Sequence, residues 1–257
     1  MDYLRQYGRF LQEISRGAGE VILKYYQKKI RVELKEDNSP VTIADKKAEE
    51  YLRRQIKKKF PHHGFWGEES GQDKTEEEYV WVVDPIDGTK SFVVGLPLFT
   101  TLVALLHHKR PVLGLIYQPL LQELVIGDGK KTFYNGKKCQ VRPCRFLNEA
   151  VLLTTDIELI RQHQNLENFL LLMQKVSFVR TWGDGYGYLL LATGRADIML
   201  DPIMHPWDIM ALVPVIQGAG GVISDFSGND PVSANSIVAA PHSLHSQVLD
   251  ILQGNRK

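Results

Sequence analysis

The stretch Trp81-Val82-Val83-Asp84-Pro85-Ile86-Asp87-Gly88-Thr89 sets two acids three residues apart, with a proline and then a glycine in the bend. The apolar run from Tyr79 to Val83 reads as a short buried strand. Asp84 and Asp87 are then aimed into one space at its end. Carboxylate oxygens so arranged suit a hard cation such as Mg²⁺. Gly88 lets the backbone come close to a ligand, and Thr89 adds a hydroxyl and an N–H where a helix can begin. A divalent cation together with a phosphate is the chemistry this pattern favours.

Two further segments stand in order along the chain: Gly67-Glu68-Glu69-Ser70 upstream, and Pro206-Trp207-Asp208 far downstream, followed by Gly218-Ala219-Gly220-Gly221. Alone, an Asp-Pro-x-Asp-Gly pattern is compatible with an ordinary turn. Three such elements in this order and at these separations resemble the inositol monophosphatase superfamily, and the resemblance spans nearly the whole chain. It implies an α/β (α+β) fold, a layered α-β-α-β-α sandwich of the inositol monophosphatase and fructose-1,6-bisphosphatase type. It also implies a lithium-sensitive phosphomonoesterase with two to three Mg²⁺ ions.

Carried onto this sequence, the resemblance gives one metal to Glu68, Asp84 and the Ile86 carbonyl, and a second to Asp84, Asp87 and Asp208. A third, weaker ion is held mainly by Glu68 and waters. Four carboxylates in one place repel or raise each other's pKa values, so cations are required to neutralise them. Two cations roughly 4 Å apart clamp the attacking and leaving oxygens of an in-line displacement at phosphorus. The implied nucleophile is water, oriented by Thr89 paired with Asp45; with Glu68 these form the implied catalytic set. Asp45 read alone is equally an N-cap of the following helix. The phosphate is expected on the N–H groups of Gly88 and Thr89.

The metal site does not choose the leaving alcohol. In the family that choice falls to the segments here reading Arg180 to Tyr186 and Asp201 to Pro206. Gly183-Asp184-Gly185-Tyr186-Gly187-Tyr188 and Asp201-Pro202 are similar to the histidinol-phosphate phosphatase branch. Asp184 and Asp201 would give the ammonium of L-histidinol phosphate charge-assisted partners. The expected substrate contacts are thus Asp87, Gly88, Thr89, Gly183, Asp184, Gly185, Asp201 and Asp208. Gly185 stands where many of that branch have cysteine, and its small size is expected to leave more room. Inositol 1-phosphate is the alternative substrate. Two further alternatives are 3′-phosphoadenosine 5′-phosphate, for which no basic cluster is set aside, and a low-turnover metal-binding regulatory protein.

These residues need a scaffold. The 257 residues, 44% hydrophobic and 24% charged, suit one large or two small globular domains. A net charge of +1 gives no footprint for nucleic acid or a membrane surface. Cys139 and Cys144 read as free thiols of a reducing compartment. The N-terminus lacks a signal-peptide pattern, and no run approaches the ~18 apolar residues of a membrane span. A cytoplasmic enzyme acting on a small phosphorylated metabolite is expected, and the resemblance suggests a homodimer.

Apolar spacing predicts helices over about Tyr3–Lys28 and Ala44–Phe60, with a polar, mobile loop over Lys35–Pro40 that the resemblance brings near the metal site. Strands are predicted over Val80–Val83, Thr101–His107, Val112–Tyr117 and Glu123–Ile126, then a hairpin turning at Asn135-Gly136. The second half predicts a helix over Asp156–Val176, short elements over Gly187–Thr193 and Ala196–Leu200, and a buried helix over Trp207–Gln217. Strands Val222–Asp225 and Ser236–Ala240 and a terminal helix follow. The expected division is 1–145, an N-terminal half with most metal ligands, and 146–257, a half carrying Asp208 and the substrate-selecting residues. Trp207 is expected in the core, and His62, His63, His107 and His108 at the surface or a sheet edge.

Overall fold

The computed structural model describes residues 2–35 and 40–255. The predicted loop falls largely on residues 36–39, outside the described ones. The chain begins α1 (Tyr3–Leu23), β1 (Val32–Leu34), β2 (Pro40–Thr42), α2 (Ile43–Lys59), β3 (Gly64–Gly67), β4 (Gly71–Asp73) and β5 (Tyr79–Asp87). It continues through α3 (Thr89–Val93), β6 (Thr100–His107), β7 (Arg110–Gln118), β8 (Glu123–Gly127), β9 (Thr132–Tyr134) and β10 (Lys137–Cys139). The remainder is β11 (Val151–Thr154), α4 (Ile157–His163), α5 (Leu166–Lys175), β12 (Phe178–Arg180), α6 (Asp184–Ala192), β13 (Ile198–Asp201), α7 (Pro206–Gly218), β14 (Gly221–Ser224), β15 (Ile237–Pro241) and α8 (His242–Leu252).

Two sheets form the frame. The first has the strand order β10-β9-β8-β7-β6-β5-β3-β4, the second β12-β11-β13-β15-β14. Alternation along each strand splits the core into layers. Trp81 and Val83 of β5 join Leu11, Ile14 and Leu52 of α1 and α2. Val80 and Val82 face the other way, into a cluster with α6 and α7 that also takes Met199, Ile223 and Ala239 from the second sheet. The opposite face of that sheet, through Leu152, Ile198 and Val238, packs on Ile160, Phe169 and Leu244 of α4, α5 and α8. The result is the α-β-α-β-α sandwich. α7 is apolar on nearly all sides because it lies between two sheets. Among the described residues no helix is long and apolar enough to cross a membrane.

Several element boundaries differ from those read in the sequence. α1 stops at Leu23 and passes into turns. β5 does not end before the acids but runs through them to Asp87, with a register irregularity between Asp84 and Asp87. The predicted helix over Asp156–Val176 is two helices. Gln164 is extended, and Asn165 caps α5 by accepting from Asn168 N. α6 starts three residues early, at Asp184. His63 is half-buried, stacked between Phe60 and Tyr79, and its Nδ1 accepts from Trp81 Nε1 at 3.1 Å.

Candidate active site

Two helix starts and two strand ends bring the acids together. Asp84 and Asp87 lie at the irregular end of β5. Glu68 follows β3, the parallel neighbour of β5, and its N–H donates to Val83 O. Asp208 occupies the first turn of α7, where its Oδ2 accepts from His205 N at 2.8 Å. Carboxylate oxygens of Asp84, Asp87 and Asp208 all lie within 4.8 Å of one another. Asp84 is 2% exposed. Its Oδ1 has no hydrogen-bond partner among the described residues.

Burial first, and neighbouring anions second, push these carboxyls far above their ordinary range: Glu68 and Asp87 act on Asp84, Asp184 on Asp87, and Asp87 on Asp208. Buried anions without counter-charge are costly. A converging set of hard oxygen donors, one of them orphaned, fits Mg²⁺. The positive group on this side is Lys35, whose Nζ lies 2.6 Å from Glu68 Oε1 and 2.7 Å from Glu69 Oε1. Glu69 is itself raised to about 7, by burial and then Glu68 against the pull of Lys35.

Asp45 is not the N-cap of α2, as it could be read from the sequence: Thr42 caps the helix and Asp45 stands at its third position. It completes the capping box of α2, accepting from Thr42 N at 2.8 Å and from Thr42 Oγ1 at 2.6 Å. Its other oxygen, Oδ1, is 3.3 Å from Thr89 Oγ1. The Thr89 hydroxyl also lies 2.9 Å from the Ile86 carbonyl, so one hydrogen is shared between two acceptors. Gly88 caps α3 at φ +87°, a conformation that a residue with a Cβ adopts only under strain.

Beside these acids a cleft of about 310 Å³ is lined by Asp87, Gly88, Thr89, Asp184, Asp201 and Asp208, among others. Asp201 is buried and accepts from Tyr188 OH at 2.8 Å. Burial raises Asp201 to about 6, and burial followed by Asp201 raises Asp184 to about 7. Gly183 and Gly185 do not line the cleft. Gly183 precedes α6 against Thr155, and Gly185 N donates to Asp87 Oδ2. A Cβ on Gly185 would collide with Thr100 Oγ1 and stand 2.6 Å from Asp87 Oδ2. The expectation of extra room for substrate at Gly185 is therefore corrected: the missing side chain is what lets α6 approach β5. Trp207, expected in the core, is half-buried and stacks on His205 at the pocket edge. A larger cleft of about 810 Å³ between α5 and α8 lies away from these acids.

Four residues about the site were not read as such from the sequence. Glu49 accepts from Glu69 N at 2.8 Å and from Ser70 N at 2.7 Å, and so fixes the loop that carries Glu68. Its signal was a charged residue on the buried face of α2, four positions after Asp45. Thr155 Oγ1 accepts from Asp184 N at 2.8 Å, holding that residue at φ +51°. Asp156 and Lys90 add one charge of each sign to the cleft wall.

Fold and site together define a layered α/β phosphatase with a cluster of acids that could hold divalent cations. Comparison with known proteins agrees: residues 4–256 match the inositol monophosphatase family, and the chain belongs to it. It is accordingly a hydrolase of phosphate monoesters, in a family whose enzymes depend on Mg²⁺. The chain is 42% identical over 249 residues to the chloroplastic bifunctional phosphatase IMPL2 of Arabidopsis thaliana, covering 92% of this chain and 72% of that protein. It is 35% identical over 235 residues to a histidinol-phosphatase of Chlorobaculum parvum, covering 90% and 91%. An inositol monophosphatase structure from Zymomonas mobilis superposes with a TM-score of 0.87 at 32% identity, covering 98% of this chain and 99% of that one.

Proposed function

We propose that this phosphatase hydrolyses a small phosphate monoester bearing a cationic group, with L-histidinol phosphate the favoured substrate. The observation carrying the reading is that Asp184 and Asp201 share one cleft with Asp87, Gly88 and Thr89. Burial and mutual repulsion leave the ionised forms of these two acids short of counter-charge, so an ammonium seated beside them would be stabilised and would in turn stabilise the carboxylates. The histidinol-phosphatase relative supports the same reading.

Glu68, Asp84, the Ile86 carbonyl, Asp87 and Asp208 would hold Mg²⁺. There the ion supplies Lewis-acid polarisation and makes water a better nucleophile at neutral pH. The rest falls to the chain. The N–H groups of Gly88 and Thr89 orient the phosphate. When Thr89 donates to Asp45, its oxygen is free to accept from a water and align it. Burial raises the proton affinity of Asp45, which suits it to share the proton arriving through Thr89. In this reading residues 1–145 supply most of the metal and water-orienting groups, and 146–257 supply Asp208 and the selectors. A cytoplasmic homodimer belongs to the proposal. Exposed Phe178 and Trp182, at and just beyond edge strand β12 with Arg180 over both rings, offer a surface for a second copy.

A second reading, inositol 1-phosphate, has the support of the Zymomonas mobilis structure. The test is phosphate release with Mg²⁺ from both substrates and from 3′-phosphoadenosine 5′-phosphate. The expected result is a kcat/KM at least tenfold higher for histidinol phosphate, about 1.4 kcal/mol in the transition state. Preference for either other ester rejects the substrate assignment and leaves the metal chemistry standing.

A further inference from the structure

The acids of the metal side carry their own cation. Lys35 is the only lysine or arginine among the described residues lining the pocket formed by Glu68, Asp84, Asp87 and Asp208. Its side chain is 25% exposed and bridges Glu68 and Glu69. Backbone hydrogen bonds hold the loop that carries both glutamates, whereas the lysine reaches them on a long side chain. Glu49 grips the backbone of the Glu68 loop through two N–H groups. Lys35 lies just past the end of β1, a strand whose three residues are all exposed, on a long flexible side chain.

An ammonium on Glu68 Oε1 takes up one carboxylate oxygen of an acid that lines the same pocket as Asp84, Asp87 and Asp208. A second cation there meets it as a like charge at short range. We propose that Lys35 is the built-in counter-ion of the cation-free site and competes with a divalent cation for Glu68, so that this lysine sets the cation affinity. The inference rests on the reading of the four acids as cation ligands. It has a signature an ordinary structural ion pair lacks. Removing the charge leaves Glu68 and Glu69 uncompensated, which weakens the cation-free fold, and exposes Glu68 fully to the incoming ion, which strengthens binding.

The experiment is calorimetric titration of Mg²⁺ into the chelator-stripped full chain, with thermal melts in the absence of divalent ions. Lys35→Gln should bind Mg²⁺ tenfold or more tightly than the wild type and melt at a lower temperature without it. Lys35→Arg, which keeps the charge, should stay near wild type. Lys90→Gln, which removes a charge from the neighbouring cleft, should change the affinity less than threefold. In the wild type, Mg²⁺ should also speed acylation of the Lys35 amine, read by mass spectrometry. Lys35→Gln binding no tighter than wild type, equal tightening in Lys90→Gln, or an acylation rate unmoved by Mg²⁺ would each overturn the proposal. Absence of Mg²⁺ heat in the wild type and in Asp84→Asn alike would overturn the underlying metal-site reading as well, which the other failures leave intact.

Discussion

At the residue scale, Asp84 has the least tolerable surroundings in the absence of a cation. It is buried, one oxygen is orphaned, and three further acids press on it. Asp84→Asn keeps the shape and removes one anion. We expect phosphatase activity with Mg²⁺ to fall at least a thousandfold, about 4 kcal/mol in the barrier. The melting temperature in chelator should hold or rise, because mutual repulsion is relieved. Turnover near wild type in a folded variant would remove Asp84 from the metal set. Thr89 gives a sharper comparison. Thr89→Ser retains the hydroxyl beside Asp45 and should keep most of kcat. Thr89→Ala should lose about 10²-fold in kcat with little change in KM, since the hydroxyl acts on the water and not on the bound ester. Equal kinetics for the two variants would show that the hydroxyl has no part in the reaction.

At the element scale, the close approach of α6 to the end of β5 couples the cleft wall that carries Asp184 to the carboxylate of Asp87. It depends on Gly185, whose N–H reaches Asp87 and whose Cα leaves no space for a side chain. Gly185→Ala should destabilise the fold by about 2 kcal/mol through overpacking. It should also lower activity, because relief moves Asp87 or Asp184. Denaturation midpoints and kcat/KM check both; an unchanged midpoint would mean that the contact relaxes without cost. Elements with a strong periodic signal were legible in the sequence: α1, α2, α7 and the run β5 to β8. The short strands β3, β4, β11 and β12 were not: three or four positions barely show alternation, and no turn signal such as the Asn135-Gly136 that marked β9 and β10 singles them out. The break at Gln164 and Asn165 was hidden because apolar spacing continues across it while the cap is local.

At the scale of the whole molecule, the gathered acids make stability depend on pH. Asp184 at about 7 and Asp201 at about 6 stand above their unfolded value of 3.8. The folded chain therefore binds these protons more tightly than the unfolded one. That contribution is complete below about pH 4 and is lost as pH rises through about 6 to 7. In chelator the melting temperature should fall from about pH 5 to about pH 8, and saturating Mg²⁺ should flatten the fall by binding the ionised form. Melts across this range with and without Mg²⁺ test it; a curve that rises with pH in chelator would contradict the burial of these groups. The sequence by itself determined the inventory: the Asp84 to Thr89 motif, Glu68 and Asp208 in order, and the acids Asp184 and Asp201, because residue type and local spacing are covalent facts. Only the tertiary structure decided that Lys35 faces Glu68, that Glu49 and Thr155 stand behind the site, and that Gly185 serves packing and not pocket volume. Those relations join positions tens to hundreds of residues apart, and they come into being only when two sheets and the helices between them close on one another.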